Sequence, residues 1–278
     1  MPEGWTWDES LFRGAAEYYE RGRVPYPLEL ADVFATNADL SGEPRLIDVG
    51  CGPGTVALRL AHLFAEVVGV DPDPGMITEA ERLAAEANVK NAMWLKSRAE
   101  DIPTDLGAFS YATFAQSVHW MDRELVANKM FSILEPRGAY VHVGTADWGT
   151  TEATQSTHPP PPDDEIRALI EKYLGPERRA GQGVLQHGTP SGEEEILRAA
   201  GFLAPEVAPV PGGGDVIERS IDDAVAGVFS GSSSAPHLFG DQLHPFEHEL
   251  RALLEAATPT GRFAVVRGRV GLIFYRRP

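Results

Sequence analysis

Leu46-Ile47-Asp48-Val49-Gly50-Cys51-Gly52-Pro53-Gly54-Thr55 decides how this 278-residue chain folds. Leu46 to Val49 is a short apolar run broken only by Asp48, three glycines follow at alternate positions, and Val56 to Phe64 carries apolar residues at helical spacing. The pattern reads strand, tight turn, helix. Glycine lets the backbone turn sharply and lets a ligand approach where a Cβ would block it. A helix that starts near Thr55 has N–H groups with no intrahelical partner, so the turn suits a small polar or anionic group.

Spacing separates this turn from other glycine-rich turns. The dinucleotide fingerprint is G-x-G-x-x-G, and the triphosphate-binding turn carries a lysine after its glycines. Here the order is Asp48-x-Gly50-x-Gly52-x-Gly54, with no lysine. It resembles the first motif of the class I S-adenosylmethionine-dependent methyltransferases. The resemblance implies S-adenosylmethionine as cofactor, S-adenosylhomocysteine as product, and Asp48, Gly50, Cys51, Gly52 and Gly54 around the bound cofactor. Cys51, the only cysteine, reads as a small buried turn residue rather than a nucleophile, and it excludes an internal disulfide framework.

Forty-one acidic residues against 24 basic ones give a formal charge of −17. That balance repels phosphate backbones, so nucleic acid is not the expected partner and a small-molecule acceptor is. No run of about 18 apolar residues occurs, which argues against a membrane helix. Met1-Pro2-Glu3-Gly4-Trp5 lacks the basic start and apolar stretch of a signal peptide, so a cytoplasmic protein, monomer or homodimer, is expected.

The first forty residues are rich in aromatics: Trp5, Trp7, Phe12, Tyr18, Tyr19 and Tyr26. Tyr19-x-x-x-Arg23-x-x-Tyr26-Pro27 looks like the N-terminal cap of small-molecule methyltransferases, a helix and loop that close over the cofactor. By that resemblance Tyr19 and Arg23 approach the methionine carboxylate, which arginine grips through two donors, and Tyr26 faces the acceptor. Packing of the helix onto the domain is the alternative. Glu66 to Asp71 reads as a second parallel strand with an acid at its carboxyl end, about 20 residues past the turn, where a ribose can donate to it. The alternative for Asp71 is an N-cap for a helix over Pro74 to Asn88. Pro72 and Met76 then flank the adenine, although Met76 could equally fill core.

Met93 to Lys96 reads as the third strand. In related methyltransferases the turn after it meets the adenine edge, here through the Ala99 N–H and the Glu100 carboxylate. Many relatives carry the acid one place earlier, where this chain has Arg98. Phe109 to Ser117 reads as the fourth strand, and Ala115-Gln116-Ser117-Val118-His119-Trp120 resembles the fourth motif of the subgroup with trans-aconitate and natural-product methyltransferases. Gln116 and Ser117 then line the sulfonium, and His119 and Trp120 the acceptor. His119 is either a general base or a partner that packs against Trp120.

Leu134 to Gly138 reads as a turn and Ala139 to Gly144 as the fifth strand, with Arg137 a neutral surface change where a second glycine is common. Asp163 to Leu174, Glu193 to Ala200, Ile221 to Phe229 and Pro245 to Ala257 read as helices, Glu206 to Val210 as the sixth strand, and Arg262 to Arg277 as the seventh with a turn near Gly268. Gly212 to Gly214 reads as a flexible joint. Ser230 to Gly240, with His237, resembles an acceptor lid. The remaining histidines, His187 among them, show no ligand spacing; His244-x-x-x-His248 lacks the glutamate of H-E-x-x-H, so no metal is expected.

The resemblance implies an α/β, Rossmann-like fold: a seven-stranded, mostly parallel sheet in the order 3-2-1-4-5-7-6 with helices on both faces and a helical cap and lid. One domain is expected. Residues 1–40 form the cap, 41–145 the cofactor core, and 146–278 complete it with a flap at 146–190 and a lid insertion at about 212–260. The sulfonium carries its own leaving group, so the protein has to align a nucleophile. The expected reaction is O-methylation of a small acid or secondary metabolite. Two alternatives stand: a non-methylating catalyst that binds S-adenosylmethionine, and an NAD-dependent oxidoreductase.

Overall fold

Strands covered on both faces must be apolar along their length, and five strands, of which the edge one is only half-buried, build the parallel part of the central sheet. They are β1 (Arg45–Val49), β2 (Glu66–Asp71), β3 (Ala92–Lys96), β4 (Phe109–Ala115) and β5 (Leu134–Thr145). β6 (Glu206–Val210) and β7 (Val270–Arg276) follow much later in the chain. The order is 3-2-1-4-5-7-6, with β7 antiparallel to both β5 and β6. This is the order that the resemblance implies. The computed structural model describes residues 8–145, 156–177, 179–180, 183–184 and 192–278. Trp5, Trp7, His187 and much of the expected flap lie outside the described residues.

Each face of the sheet buries a separate core. One face packs Ile47, Val68, Phe114 and Tyr140 against helices α5 (Arg123–Ile133) and α7 (Glu193–Ala199). The other packs Leu46, Val67, Tyr111 and Leu272 against α2 (Leu30–Asn37) and α3 (Thr55–Leu60). α4 (Pro74–Glu86) starts with proline at its first position, and the Asp73 carboxylate caps it by accepting from the Gly75 and Met76 N–H groups at 2.7 and 3.1 Å.

A third core lies away from the sheet. Ile166 and Leu169 of α6 (Asp163–Leu174) meet Val225 and Phe229 of α8 (Ile221–Phe229), with Phe246 and Leu250 of α9 (Leu243–Ala257) and Phe263 beneath them. Phe229 and Phe246 are fully buried, each stabilising by about 1.5–3 kcal/mol. α6 of the expected flap thus shares this core with α8 and α9 of the expected lid.

Several sequence readings need correction. Arg262 to Arg277 is two strands, because Arg262–Val266 pairs antiparallel with Val216–Ser220 under the lid and only Val270–Arg276 joins the sheet. Alternation alone cannot say which partner a strand will take. Gly213 is close-packed rather than a free joint: a Cβ there would stand 2.7 Å from the Arg269 Cα. β4 stops at Ala115 because Gln116 turns into the left-handed region at φ +55°. β5 begins at Leu134 with an irregular register against β4, and Arg137 lies at φ +67°. A glycine at that position has a backbone reason, so the arginine is not neutral.

α1 (Ala16–Gly22) crosses α8 closely. A Cβ on Gly22 would lie 2.3 Å from the Ala226 carbonyl oxygen. Beside it, the Arg21 guanidinium donates to Asp223 at 2.7 Å and Asp222 at 3.2 Å. These ion pairs are largely exposed, so the close packing holds the crossing. No helix among the described residues is long and apolar enough to cross a membrane. Gly22→Ala is expected to cost about 1–3 kcal/mol, since backbone rather than a flexible side chain must move; thermal unfolding identical to wild type would contradict this packing.

Candidate functional site

The glycine turn joins β1 to α3 across the end of β2, where the Gly50 and Cys51 N–H groups donate to the Val70 carbonyl at 2.8 and 3.0 Å. Gly50, Gly52 and Gly54 all have positive φ, at +68°, +55° and +82°. Their surroundings differ. A Cβ on Gly50 would meet Ser117 Cβ at 2.5 Å, and one on Gly54 would meet the Trp94 ring at 2.5 Å, whereas Gly52 has nothing within 4 Å. Gly50 and Gly54 serve close packing, and Gly52 leaves its backbone open to a ligand.

Asp48 holds the turn from below. It is 1% exposed, and its oxygens accept from the Thr113 hydroxyl at 2.7 Å and the Ala57 N–H at 3.1 Å. Burial pushes its carboxyl up to about 6 against the pull of those two hydrogen bonds. Its place is beneath the turn, tying β1 to β4 and α3, and not on the cavity wall.

Asp71 faces a cleft beyond the carboxyl ends of the strands. The Gly52 N–H donates to Oδ2 at 2.9 Å and the Asp73 N–H to Oδ1 at 2.9 Å, so both oxygens are fixed and each keeps a further lone pair. Burial raises this carboxyl to about 6, opposed by the same two hydrogen bonds. The N-cap that Asp71 could have supplied is Asp73 instead.

Tyr19, Gly50, Gly52, Pro72, Met76 and Ala99 share this cleft with Asp71, as do Glu100, Gln116, Ser117 and Trp120. Met76 also packs with Ala15, Ala16 and Ala235, so it serves wall and core together. Glu100 accepts from the Asp122 N–H at 2.8 Å and pairs with Arg98 at 3.3 Å. The Ser117 hydroxyl donates to the Val49 carbonyl at 2.7 Å. Gln116 keeps its left-handed backbone at the cleft edge, a conformation that costs about 1–3 kcal/mol and clusters at binding sites.

Arg23, Asp48, Cys51, Gly54, Tyr26, His119 and His237 are not on the wall. Arg23 lies 5.0 Å from the centre of the Tyr19 ring and donates to the Ser230 carbonyl at 2.7 Å, joining α1 to the lid. Cys51 is buried against its own turn, where burial pushes its thiol up. Tyr26 packs into the core beside α2 and α3, its hydroxyl raised by burial. The His119 ring tilts against Trp120 at 4.6 Å, and His237 Nδ1 lies 2.9 Å from the Arg13 carbonyl. Leu11, Phe12, Arg98, Ala115 and Met121 line the cleft without having been singled out. Phe12 meets Trp120 edge to face at 6.2 Å, a contact between residues over a hundred positions apart that no local pattern reveals. Among the described residues no group of histidine, cysteine and acids could hold a metal ion.

Asp48 and Asp71 share one consequence for pH. Both carboxyls stand at about 6, above their usual 3.8, so between those values the folded chain holds protons that the unfolded chain has lost. Their cost to stability therefore grows as pH rises through this window and is complete above about 6. Thr113→Val should destabilise by about 1–3 kcal/mol at neutral pH by leaving Asp48 with one donor fewer. The loss should shrink near about pH 5, where Asp48 is protonated. Denaturant unfolding at the two pH values tests this, and an equal loss at both would remove Asp48 from the role.

A methyltransferase-domain family model matches residues 46–138. An uncharacterized methyltransferase of Mycobacterium tuberculosis is 33% identical over 132 residues, 47% of this chain and 51% of the relative. A probable S-adenosylmethionine-dependent methyltransferase of Saccharomyces cerevisiae is 26% identical over 125 residues, 44% of this chain and 43% of the relative. The chain thus spans about half the length of the curated relatives it matches. The crystal structure of the Bacillus subtilis YcgJ protein superposes with a TM-score of 0.51 at 16% identity, covering 89% of this chain and 98% of that one. The [4+2]-cyclase SpnF does so with a TM-score of 0.50 at 19% identity, covering 92% and 85%. Those two likenesses show a shared fold. Together with the strand order and the glycine turn, these matches identify residues 46–138 as a methyltransferase domain on a Rossmann-like sheet.

Proposed function

We propose that this protein transfers the methyl group of S-adenosylmethionine to an oxygen of a small-molecule acceptor, an acid or a secondary metabolite, in the cytoplasm. The observation that carries the reading is Asp71. Its two oxygens are held by backbone N–H groups at the open edge of the glycine turn, aimed to accept from two ribose hydroxyls. In this reading Gly52 lets the cofactor backbone approach, Pro72, Met76 and Ala99 border the adenine, and Glu100 accepts from its amine. Tyr19, Gln116 and Ser117 face the methionine and sulfonium end, and Phe12 and Trp120 enclose the acceptor. The net charge of −17 supports a small molecule over nucleic acid.

Calorimetric titration with S-adenosylhomocysteine tests the cofactor assignment. Asp71→Asn is expected to weaken binding by about 1.5–3 kcal/mol, roughly 10- to 150-fold, through lost charge-assisted hydrogen bonds. Wild-type affinity should also fall as pH drops through about 6, because the ribose hydroxyls select the charged carboxylate and Asp71 takes up a proton there. Affinity flat across that range, or a melting temperature raised by NAD but not by S-adenosylmethionine, would overturn the assignment.

A further inference from the structure

Two arginines converge on the neck where the ribbon of Val216–Ser220 with Arg262–Val266 joins the central sheet. The chain passes this neck twice, once from β6 through Gly212 to Asp215 and once through Arg267 to Arg269 into β7. Two backbone hydrogen bonds tie the passages together: the Arg267 N–H donates to the Asp215 carbonyl at 2.8 Å, and the Gly214 N–H to the Arg267 carbonyl at 2.9 Å. Arg59, in the last turn of α3, reaches the same place from the face of the sheet that packs α2. Its Nη1 lies 3.4 Å from the Pro27 carbonyl, and Arg267 Nη1 lies 3.8 Å from Asp215 Oδ2. Gly212 stands at both contacts: a Cβ there would meet Pro27 Cβ and Glu29 Oε2 at 3.3 Å and Asp215 Oδ2 at 3.6 Å.

Neither guanidinium is satisfied. The Nε–H donors of Arg59 and Arg267 are both buried without an acceptor among the described residues. A buried donor left without a partner is uncommon in folded chains, and contacts at 3.4 and 3.8 Å are too long to make up for it. The two charges also repel. Burial first and the Arg267 charge second push the Arg59 guanidinium down from its usual range, with Glu29 opposing. The acids at the neck compensate loosely, because Asp215 is 61% exposed and Glu29 is exposed too. Elsewhere in this acidic chain arginines find closer partners: Arg21, Arg82 and Arg198 meet carboxylates at 2.7, 2.6 and 2.5 Å.

We propose that Arg59 and Arg267 form an oxyanion site at this neck, which takes a phosphate or carboxylate group in place of the loosely held Glu29 and Asp215 carboxylates. The planar guanidinium presents paired N–H donors that match the oxygens of either group, so one anion can bridge the two arginines. Its charge offsets their repulsion, and both acids are free to turn into solvent. Occupancy ties α3 to both passages of the neck and so fixes the ribbon, and the helices packed on it, against the sheet. Neither arginine lies on the wall of the cofactor cleft, and the site stands apart from the methyltransferase reading.

Thermal unfolding and calorimetric titration of the full chain, at constant ionic strength and about pH 7, test the site with inorganic phosphate, phenyl phosphate, acetate and chloride. Phosphate or acetate is expected to raise the melting temperature saturably at low millimolar concentration, where general salt effects are small, and chloride is not. Arg59→Gln and Arg267→Gln should each weaken phosphate affinity about tenfold or more. Glu29→Gln and Asp215→Asn should tighten it, because the competing carboxylate is gone; an ion network that serves stability alone would instead lose melting temperature in these two and show no response to anions. Should Arg59→Gln fail to fold, Arg267→Gln and the two acid variants decide. Tighter binding of phenyl phosphate than of phosphate assigns the anion to a group carried on a small molecule, and equal binding assigns it to the free ion. No saturable shift beyond that of chloride, or one phosphate affinity shared by wild type and both glutamine variants, would overturn the proposal. Titration with S-adenosylhomocysteine on the same samples reports separately on the cofactor cleft.

Discussion

The buried Asp48 carboxylate is the constraint on which the cofactor site depends. One side chain links three elements: it belongs to β1, accepts from Thr113 on β4, and accepts from the Ala57 N–H in the first turn of α3. A carboxylate with 1% exposure is expensive to bury, and its two donors offset only part of that cost, as its raised carboxyl shows. The return is positional. With α3 drawn toward the sheet, the glycine turn between them has one path, over the end of β2, and Gly52 delivers its N–H to Asp71 at 2.9 Å. Asp71 on the cleft wall is thus aimed by a residue that lies beneath the turn.

The part of the chain away from the sheet is built differently. α6, α8, α9 and the ribbon of Val216–Ser220 with Arg262–Val266 make their own apolar core, separate from both cores of the sheet. That core is joined to the cofactor side through α1, which packs Gly22 against α8 while Tyr19 lines the cleft. Arg23 tightens the same joint by donating to the Ser230 carbonyl. A residue expected to grip the cofactor therefore couples the cap to the lid. Tilt or loss of α1 would alter both ends of the site at once.

Much of the cleft wall was legible in the sequence, through the glycine turn, the strand that follows it and the family resemblance. The turn, Asp71 and Pro72 stand at the ends of strands, with Met76 in the first turn of α4 and Ala99 three residues past β3, and the ends of parallel strands converge on one edge of the sheet. The rest of the cleft wall was less legible. Leu11 and Phe12 are ordinary apolar residues until the fold sets them opposite Trp120 and Met121. His142 reads as one more residue of an apolar strand until α7 brings Glu193 within 3.3 Å of it.

The sequence by itself determined the strand runs, the glycine turn and the acid that follows it, since these rest on local periodicity, backbone freedom at glycine and the apolar demand of doubly covered strands, while the sheet order came from the family resemblance. Only the tertiary structure decided that Asp48 works beneath the turn, that Arg262 to Arg277 divides between two sheets, and that His142 pairs with Glu193. Those outcomes depend on partners 9 to 65 residues away or more, as in Ala57 and Thr113 about Asp48. Packing chooses such partners, and no pattern within a single segment encodes the choice.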